Sequence, residues 1–564
     1  MRENPTAPWW QDALIYQIYP RSFQDSNGDG IGDLPGIVSR LDELAKLGVD
    51  ALWLSPIYPS PDVDNGYDIA DYCAVDPKYG SLADFDALVA AAAARGIKII
   101  LDLVINHTSD QHPWFQASRG GDPTYADYYI WQPATVDAKG HRQPPNNWTS
   151  FFMGPVWQWD ERRQAYYLHL FDKAQPDLNY RCPAVIEEIK AILTFWLDHG
   201  VAGFRCDVIN VLWKDSLADG ASRWPIIRGI EHYASTEGTH RILRELRRDV
   251  LGPRQAFTVG ETVAVNLPQA RDLTDPSRGE LDTVFTFDHL EVDRLAFRYG
   301  PKPFSARELL ARLTRWQTGL DQPTAVLENH DQPRIVSHYG DDGRYWRRSA
   351  MLLATWLLTL RGTAFIYQGQ EIGMTNGDFA TLADLDDVES HSLDGLLAKA
   401  HLPARLRWAL IRPGSRDNAR TPMQWDDSEA AGFTSGTPWL KVNANKDWIN
   451  YATQDQDRSS VLNYYRRLIA LRASSETLRR GGFEPVEASQ AVMVYRRRPP
   501  AGSDDGVYTV WLNFSGRVQP LGQAWPVVDG VLMASNIGRA NPRGLLAPWA
   551  ALVVRSPGSA AIRP

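Results

Sequence analysis

The chain has 564 residues, room for about two to four domains or for one large barrel with attachments. With 59 Lys and Arg against 68 Asp and Glu, its formal net charge is -9; it lacks the clustered basic excess of a nucleic-acid binder and gives no reason to seek an anionic membrane surface. At 44% hydrophobic and 23% charged residues, the composition is that of a globular protein with ample core, which excludes the disordered, collagenous and coiled-coil classes.

The opening segment Met1–Trp10, MRENPTAPWW, has no apolar stretch of the kind a secretory signal needs, and no apolar run approaches the ~18 residues of a membrane span. Cys73, Cys182 and Cys206 are too few and too scattered for a disulfide framework or a four-cysteine metal site. They read as small buried hydrophobes in a reducing compartment, so the expected location is cytoplasmic. The 21 Trp and 22 Tyr suit sugar rings as well as they suit a core, and weigh little by themselves.

From the N-terminus, β-rich apolar runs are predicted at Ala13–Tyr19, Ala51–Ser55, Ile97–Ile105, Gly203–Val208, Phe257–Glu261, Thr283–Phe287, Thr324–Leu327 and Ala364–Gln368. Near-continuous apolarity marks strands covered on both faces. Helical patterns separate them, as at Ser81–Arg95, where Ser81 is the expected N-cap, Asp84 follows three residues on, and Gly96 stops the helix. Eight such units predict a (β/α)₈ barrel, the TIM-barrel α/β class, rather than a doubly wound sheet. The connection after strand three, residues 108–180, is rich in Trp, Tyr, Pro and Asn and is expected to form a small inserted domain over the C-terminal face of the barrel. Residues 1–107 and 181–477 then make the barrel. Within the latter, Gly373–Asn443 delays the last helix, predicted at Ser459–Arg472. Residues 478–564, with AVMVYRR and VYTVWLNFSG, read as an antiparallel β-domain.

Catalytic side chains of such barrels stand at the C-terminal strand ends, and here those ends carry carboxylates: Asp102 on strand three, Asp207 on four, Glu261 on five and Asp331 after seven. A single acid so placed is more often a structural ion-pair partner. Several converging on one mouth, where an unpaired charge is costly to bury, point to chemistry. Two carboxyls about 5 Å apart, one ionised and one protonated, are the apparatus of a retaining glycosidase.

The motifs DLVINH (Asp102–His107), QPDLN (Gln175–Asn179), GFRCDVIN (Gly203–Asn210), GET (Gly260–Thr262), ENHDQPR (Glu328–Arg334) and RDNARTPMQWD (Arg416–Asp426) follow in that order. With them the chain resembles the α-amylase superfamily, glycoside hydrolase family thirteen, and its oligo-1,6-glucosidase group of α-glucosidases, over essentially its whole length. The resemblance implies Asp207 as nucleophile, Glu261 as general acid/base and Asp331 as a third acid gripping ring hydroxyls. Arg205, two residues before Asp207 on the same strand face, is expected to hold the nucleophile ionised and oriented. His107 and His330 match imidazoles that bind sugar hydroxyls, and Asp102 is expected to orient neighbours rather than react. Asp64 and Tyr67, in PDVDNGYD, match the glucose pocket, Arg416 the partner that closes it with Asp64, and Phe171 an apolar wall. A closed end implies exo action on short oligosaccharides. Val208, after the nucleophile, goes in such enzymes with α-1,6 cleavage; as a plain reading of the residue, a β-branched side chain simply suits a strand. Val also occurs at that position in relatives acting on trehalose 6-phosphate or isomerising sucrose. Preference for α-1,4, α-1,3 or α-1,2 links, transfer to a sugar acceptor, and a non-catalytic relative of the kind that accompanies amino-acid transporters are the alternatives; intact acids and the lack of a span count against the last.

Asp25-Ser26-Asn27-Gly28-Asp29-Gly30-Ile31-Gly32-Asp33 alternates oxygen donors, with Gly30 where an EF-hand loop turns. Asp25, Asn27, Asp29, the Ile31 carbonyl and Asp33 are the expected ligands of a structural Ca²⁺, or more weakly Mg²⁺, remote from the chemistry. Gly36 stands where an EF-hand has its bidentate Glu. No organic cofactor is expected, and the sequence is silent on oligomeric state.

Overall fold

The computed structural model describes residues 8–222, 227–295, 300–522, 531–534 and 544–557. All eight predicted barrel strands are present: β1 (Leu14–Ile18), β2 (Ala51–Leu54), β3 (Lys98–Leu103), β4 (Gly203–Cys206), β5 (Phe257–Gly260), β6 (Thr283–Val284), β7 (Thr324–Ala325) and β8 (Thr363–Tyr367). They pair in parallel in the order β6-β5-β4-β3-β2-β1-β8-β7. Strands β6 and β7 have no backbone ladder between them. Side chains span that seam instead: Thr283 Oγ1 donates to the Gln322 carbonyl at 2.8 Å and Thr324 Oγ1 to the Val284 carbonyl at 3.1 Å. Both strands are accordingly shorter than their apolar runs suggest.

Alternation along the strands decides what faces the barrel axis. Ile15, Ala51, Trp53, Ile100, Phe257, Val259, Phe285, Val326 and Phe365 fill the interior as one apolar cluster. The alternate residues Leu52, Leu54, Ile99, Leu101 and Phe204 pack outward against the helices. Continuing two residues at a time, Ile15 leads to Gln17, Ile100 to Asp102, Gly203 to Arg205 and then Asp207, and Val259 to Glu261. The same period that builds the dry floor therefore delivers polar groups to its upper rim. Gly203 has no room for a side chain, since a Cβ would lie 2.4 Å from the Phe257 carbonyl oxygen.

The helix after β2 spans Leu82–Ala93, with the predicted Ser81 cap and Asp84 forming a reciprocal capping box and Gly96 turning the chain at φ +73°. The late helix spans Val461–Ser474, starting two residues beyond the expected Ser459 because the Ser460 side chain accepts from the Asn463 N–H and takes the cap.

Between β3 and β4 lie the helix Pro113–Arg119, a three-stranded antiparallel sheet in the order Trp131–Gln132, Ala165–Leu168, Trp157–Asp160, and a small hairpin. An isolated antiparallel bridge joins His107, just past β3, to Asp177 near the end of this segment, and a second, Tyr129 with Leu178, closes within the segment. The C-terminal sheet comprises β9 (Gly482–Ala488), β10 (Val492–Arg498), β11 (Val507–Asn513), β12 (Val531–Ala534) and β13 (Ala551–Ser556), antiparallel in the order β9-β10-β11-β13-β12. Met493, Tyr495, Val510 and Val553 join the main core, whereas Val492, Val494, Trp511 and Leu552 build a second cluster on the opposite face. Residues 523–530, 535–543 and 558–564 of the predicted β-domain lie outside the described residues. No helix among the described residues is long and apolar enough to cross a membrane.

Candidate active site

A cavity of about 680 Å³ opens at the C-terminal ends of the barrel strands, under the inserted segment. Asp64, Tyr67, His107, Phe171, Asp207, Glu261, Asp331 and Arg416 all line it. Arg205 and His330 stand directly behind that wall, each in contact with lining residues.

Arg205 organises the centre. It is 1% exposed, and its Nη1 donates to Asp102 Oδ1 and Asp207 Oδ1, each at 2.6 Å. Its Nη2 donates to Glu261 Oε2. One rigid guanidinium fork thus holds three carboxyls from three adjacent strands, which a lysine's point charge could not do. Asp102 is enclosed by protein: Trp53 Nε1 donates to its Oδ2 at 3.0 Å and Tyr67 OH at 3.1 Å. It is fully buried and holds its neighbours in place. Backbone bonds lock the same residues, from the Asp207 N–H to the Leu103 carbonyl at 3.0 Å and from the Glu261 N–H to the Cys206 carbonyl at 2.8 Å.

The carboxyls differ in charge. Burial pushes Asp207 up to about 7 against the pull of Arg205, with the charges of Asp102 and Asp331 adding to the rise. Glu261 is raised further by burial and by the charges of Asp207 and Asp331, again opposed by Arg205, and it shares a hydrogen bond with the Asp207 carboxyl. Arg205 pulls Asp207 toward its ionised form, the direction expected from the sequence, while desolvation works against it. Asp331 behaves oppositely. Burial opposes its ionisation, but the Arg416, Arg420 and Arg205 guanidiniums, joined by His330 only in the acid range where its ring is charged, hold it far below the usual carboxylate range. One ionised carboxyl and one protonated partner beside a permanently charged third acid can carry out acid-assisted displacement at an acetal carbon. Activity requires Asp207 ionised and Glu261 protonated, so kcat/KM is expected to trace a narrow bell. Its acid limb should lie near pH 7, well above that of an unperturbed carboxylate, with its alkaline limb above that. A rate flat from about pH 5 to pH 9 would remove this assignment.

The histidines are uncharged. Burial lowers His107 to about 4 and His330 to about 3. His107 Nε2 lies 3.1 Å from the Tyr67 carbonyl oxygen, and the His330 ring stacks on Tyr67 at 5.2 Å with planes 2° apart. Gln17 Nε2 meets His330 Nδ1 at 2.8 Å. Phe171 stacks on Phe151 at 4.9 Å and stands 5.2 Å from His107.

At the closed end, Arg416 Nη2 donates to Asp64 Oδ1 at 3.0 Å, its Nε to Asp387 Oδ1 at 2.7 Å, and its Nη1 reaches Asp331 Oδ1 at 3.5 Å. Asp387, Glu389, Arg420 and Gln175 belong to the site although the sequence reading singled out none of them. Glu389 lines the cavity. Arg420 Nη2 donates to Asp331 Oδ1 at 2.9 Å. Gln175 Nε2 reaches Asp64 Oδ2 at 3.2 Å and His107 Nε2 at 3.2 Å. Two of them sit in quoted motifs, QPDLN and RDNAR, so a signal existed; Asp387 and Glu389 lie in a stretch with no such mark. The Asp177 of QPDLN is fully buried and pairs with Lys214 Nζ at 2.6 Å, which also donates to Asn106 Oδ1 at 3.0 Å. The motif thus clamps the inserted segment to the loops bearing His107 and Asp207.

Val208 follows the nucleophile in a left-handed conformation, φ +35° and ψ +40°, beyond the end of β4 at Cys206. A β-branched residue avoids that region, at a cost of about 1–3 kcal/mol. Strand propensity therefore does not explain the residue. Its side chain is 7% exposed, packs with Val211 and Tyr233, and lines the cavity.

The predicted metal loop lies outside this cavity. Asp25 Oδ1 accepts from the Asn27 and Gly28 N–H groups at 2.9 and 2.8 Å, and its Oδ2 from the Gly30 N–H at 2.8 Å and Thr434 Oγ1 at 2.5 Å. Asn27 accepts from Asp29, and Asp29 from Ile31, while Asp33 caps the helix Leu34–Ser39. Among the described residues, no three His, Cys, Asp or Glu side chains gather closely enough to hold a metal ion. A cation here would rest on the Asn27 amide and the Ile31 carbonyl as much as on carboxylates.

Residues 17–481 match the family model of the α-amylase catalytic domain. The chain belongs to the α-amylase family. It is 45% identical over 517 residues to an oligo-1,6-glucosidase of Parageobacillus thermoglucosidasius, covering 90% of each chain. It is 42% identical to the trehalose-6-phosphate hydrolase of Escherichia coli K12, covering 95% of this chain and 96% of that one. Among solved structures, the isomaltulose synthase of Klebsiella sp. LX3 superposes with a TM-score of 0.92 at 39% identity, over 98% of this chain and 100% of the other. As a member of this family the chain is a glycoside hydrolase.

Proposed function

We propose that the protein is a retaining, exo-acting α-glucosidase that removes terminal α-linked glucose from short oligosaccharides, with α-1,6 links favoured. The observation that carries this is the pair of carboxyls, Asp207 and Glu261, held on the Arg205 fork beside a pocket end closed by Arg416 on Asp64. In this reading Asp207 attacks the anomeric carbon while Glu261 protonates the leaving oxygen. Glu261 then takes a proton from the water that releases glucose with its configuration retained. Asp331, Tyr67 and the neutral histidines grip the sugar, Phe171 supplies an apolar wall, and the closed end limits entry to one terminal residue.

The α-1,6 preference draws on the relatives named oligo-1,6-glucosidase and on Val208, which lines the cavity directly after Asp207. The test is an equimolar panel of isomaltose, maltose, nigerose, kojibiose, sucrose, trehalose and trehalose 6-phosphate. Isomaltose should release glucose fastest, and Val208→Thr should shift the isomaltose-to-maltose ratio of kcat/KM toward maltose by on the order of 10-fold. An unshifted ratio removes Val208 from the argument; maltose preferred by the wild type removes the linkage assignment. Hydrolysis of a phosphorylated disaccharide is the second reading. Arg315, exposed and lining the cavity, offers a phosphate a partner. Fastest turnover of trehalose 6-phosphate would establish it.

A structural Ca²⁺ on Asp25, Asn27, Asp29, Ile31 and Asp33 is part of the same proposal, supported by the donor spacing and the resemblance. Millimolar Ca²⁺ should raise the Tm relative to a chelator, with Asp29→Ala abolishing the difference. Equal Tm in both conditions ends the proposal. Only Cys206 is buried as expected, Cys182 being half-buried and Cys73 exposed; that none of the three is in a disulfide fits a reducing, cytoplasmic setting.

A further inference from the structure

Arg416 and Arg420 stand four residues apart on one helical turn, Asp417–Arg420 with Arg416 as its cap, and both guanidiniums converge on Asp331 Oδ1, at 3.5 and 2.9 Å. They differ in one respect. Arg416 lines the cavity and can touch a sugar; Arg420 is fully buried behind it and does not line it. Arg420 is also tied to the chain that carries Asp331, since its Nε donates to the carbonyl of His330 at 3.0 Å. Its guanidinium carbon sits 5.7 Å from the centre of the Tyr19 ring, whose plane lies 13° from that of His330. The backbone of the same turn is anchored from the other side, where Ser22 Oγ donates to the Arg420 carbonyl at 2.6 Å. A planar cation fastened at three points to the first and seventh strand ends is a rigid support rather than a surface charge.

We propose that Arg420 is a positioning residue for catalysis: it fixes the rotamer of the Asp331 carboxylate and the attached His330 backbone, and acts on the sugar only through them. Asp331 grips hydroxyls that shift as the ring flattens toward an oxocarbenium ion, so its placement matters more in the transition state than in the bound ground state. Charge supports the geometry, because desolvation works against ionisation of this carboxylate, and the other guanidinium that reaches its Oδ1, that of Arg416, lies at the longer distance of 3.5 Å. Lysine at this position would keep the charge without the fork that joins Asp331 to the His330 carbonyl.

This inference rests on the glucosidase reading, and the two fail separately: a wild type that releases no glucose from any α-glucoside defeats the reading before any variant is compared. The deciding experiment is a double-mutant cycle with Arg420→Met, Asp331→Asn and both together, measured as kcat and KM on isomaltose and on an aryl α-glucoside. Arg420→Met alone should lower kcat/KM by on the order of 10²-fold, mostly in kcat. In the Asp331→Asn background it should cost less than about threefold, because the group it acts through is already impaired. Arg420→Lys should recover part of the loss. The same cost in both backgrounds, or a wild-type kcat/KM in Arg420→Met, overturns the proposal. If Arg420→Met fails to fold by circular dichroism, Arg420→Lys takes its place in the cycle, and additive costs there overturn the proposal equally.

Discussion

Asp207→Asn should reduce turnover of every α-glucoside by on the order of 10⁴- to 10⁶-fold while leaving the fold intact. The amide is nearly isosteric with the carboxylate and still reaches Arg205, so circular dichroism and Tm should change little, although the nucleophile is gone. Glu261→Gln should behave differently. It removes a proton donor rather than a nucleophile, so loss on natural disaccharides should be on the order of 10²- to 10⁴-fold. Aryl glucosides with good leaving groups should still glucosylate the enzyme. Azide separates the two roles by stereochemistry. With Asp207→Gly, azide can enter the vacated side of the ring and give β-glucosyl azide from an activated α-glucoside. With Glu261→Gln it should intercept the glucosyl-enzyme and give the α-azide. The reverse pattern would exchange the assignments, and wild-type rates in Asp207→Asn would dismiss the nucleophile altogether.

The barrel was legible because burial on both strand faces writes nearly continuous apolar runs, and because strands in sequence are neighbours in the sheet. Legibility weakened where the sheet itself weakens. Strands β6 and β7 were expected to span Thr283–Phe287 and Thr324–Leu327, yet each has two ladder residues, since the seam between them is closed by threonine hydroxyls rather than by backbone pairing. Phe285 and Val326 still fill the barrel interior, so the apolar pattern reported burial correctly and hydrogen bonding incorrectly.

The site divides in the same way. Asp207, Glu261, Asp331 and Arg205 could be placed from strand ends and side-chain alternation, with roles supplied by the motifs. Gln175 and Arg420 sit inside motifs and Asp387 and Glu389 do not, but the contacts of Asp387 and Gln175 join distant parts of the chain: Asp387 meets Arg416 across 29 positions and Gln175 meets Asp64 across 111. Val208 shows the limit from the other side. Its β-branched side chain looked like strand chemistry, whereas the chain has already left the strand and pays a conformational penalty to keep valine there.

Arg416 tests the closed end of the pocket, and its removal should have the second largest effect. Its three arms hold Asp64, Asp387 and Asp331, and all four residues are buried or line the cavity. Arg416→Ala takes the counter-ion from acids that cannot easily regain water, a change that costs about 3–5 kcal/mol when a buried pair is broken. A lower Tm is expected. So is a fall in kcat/KM on isomaltose by on the order of 10³-fold, with KM raised because Asp64 no longer has a fixed position from which to bind the terminal sugar. Arg416→Lys should retain little, since one ammonium cannot span three carboxylates. Adding Asp64→Asn to Arg416→Ala should restore Tm in part by removing a stranded charge, without restoring activity. That divergence separates the two jobs of the arginine, charge balance and substrate recognition. Should Arg416→Ala keep near wild-type kcat/KM on isomaltose, the end of the pocket is not where the sugar stops, and exo action loses its structural basis.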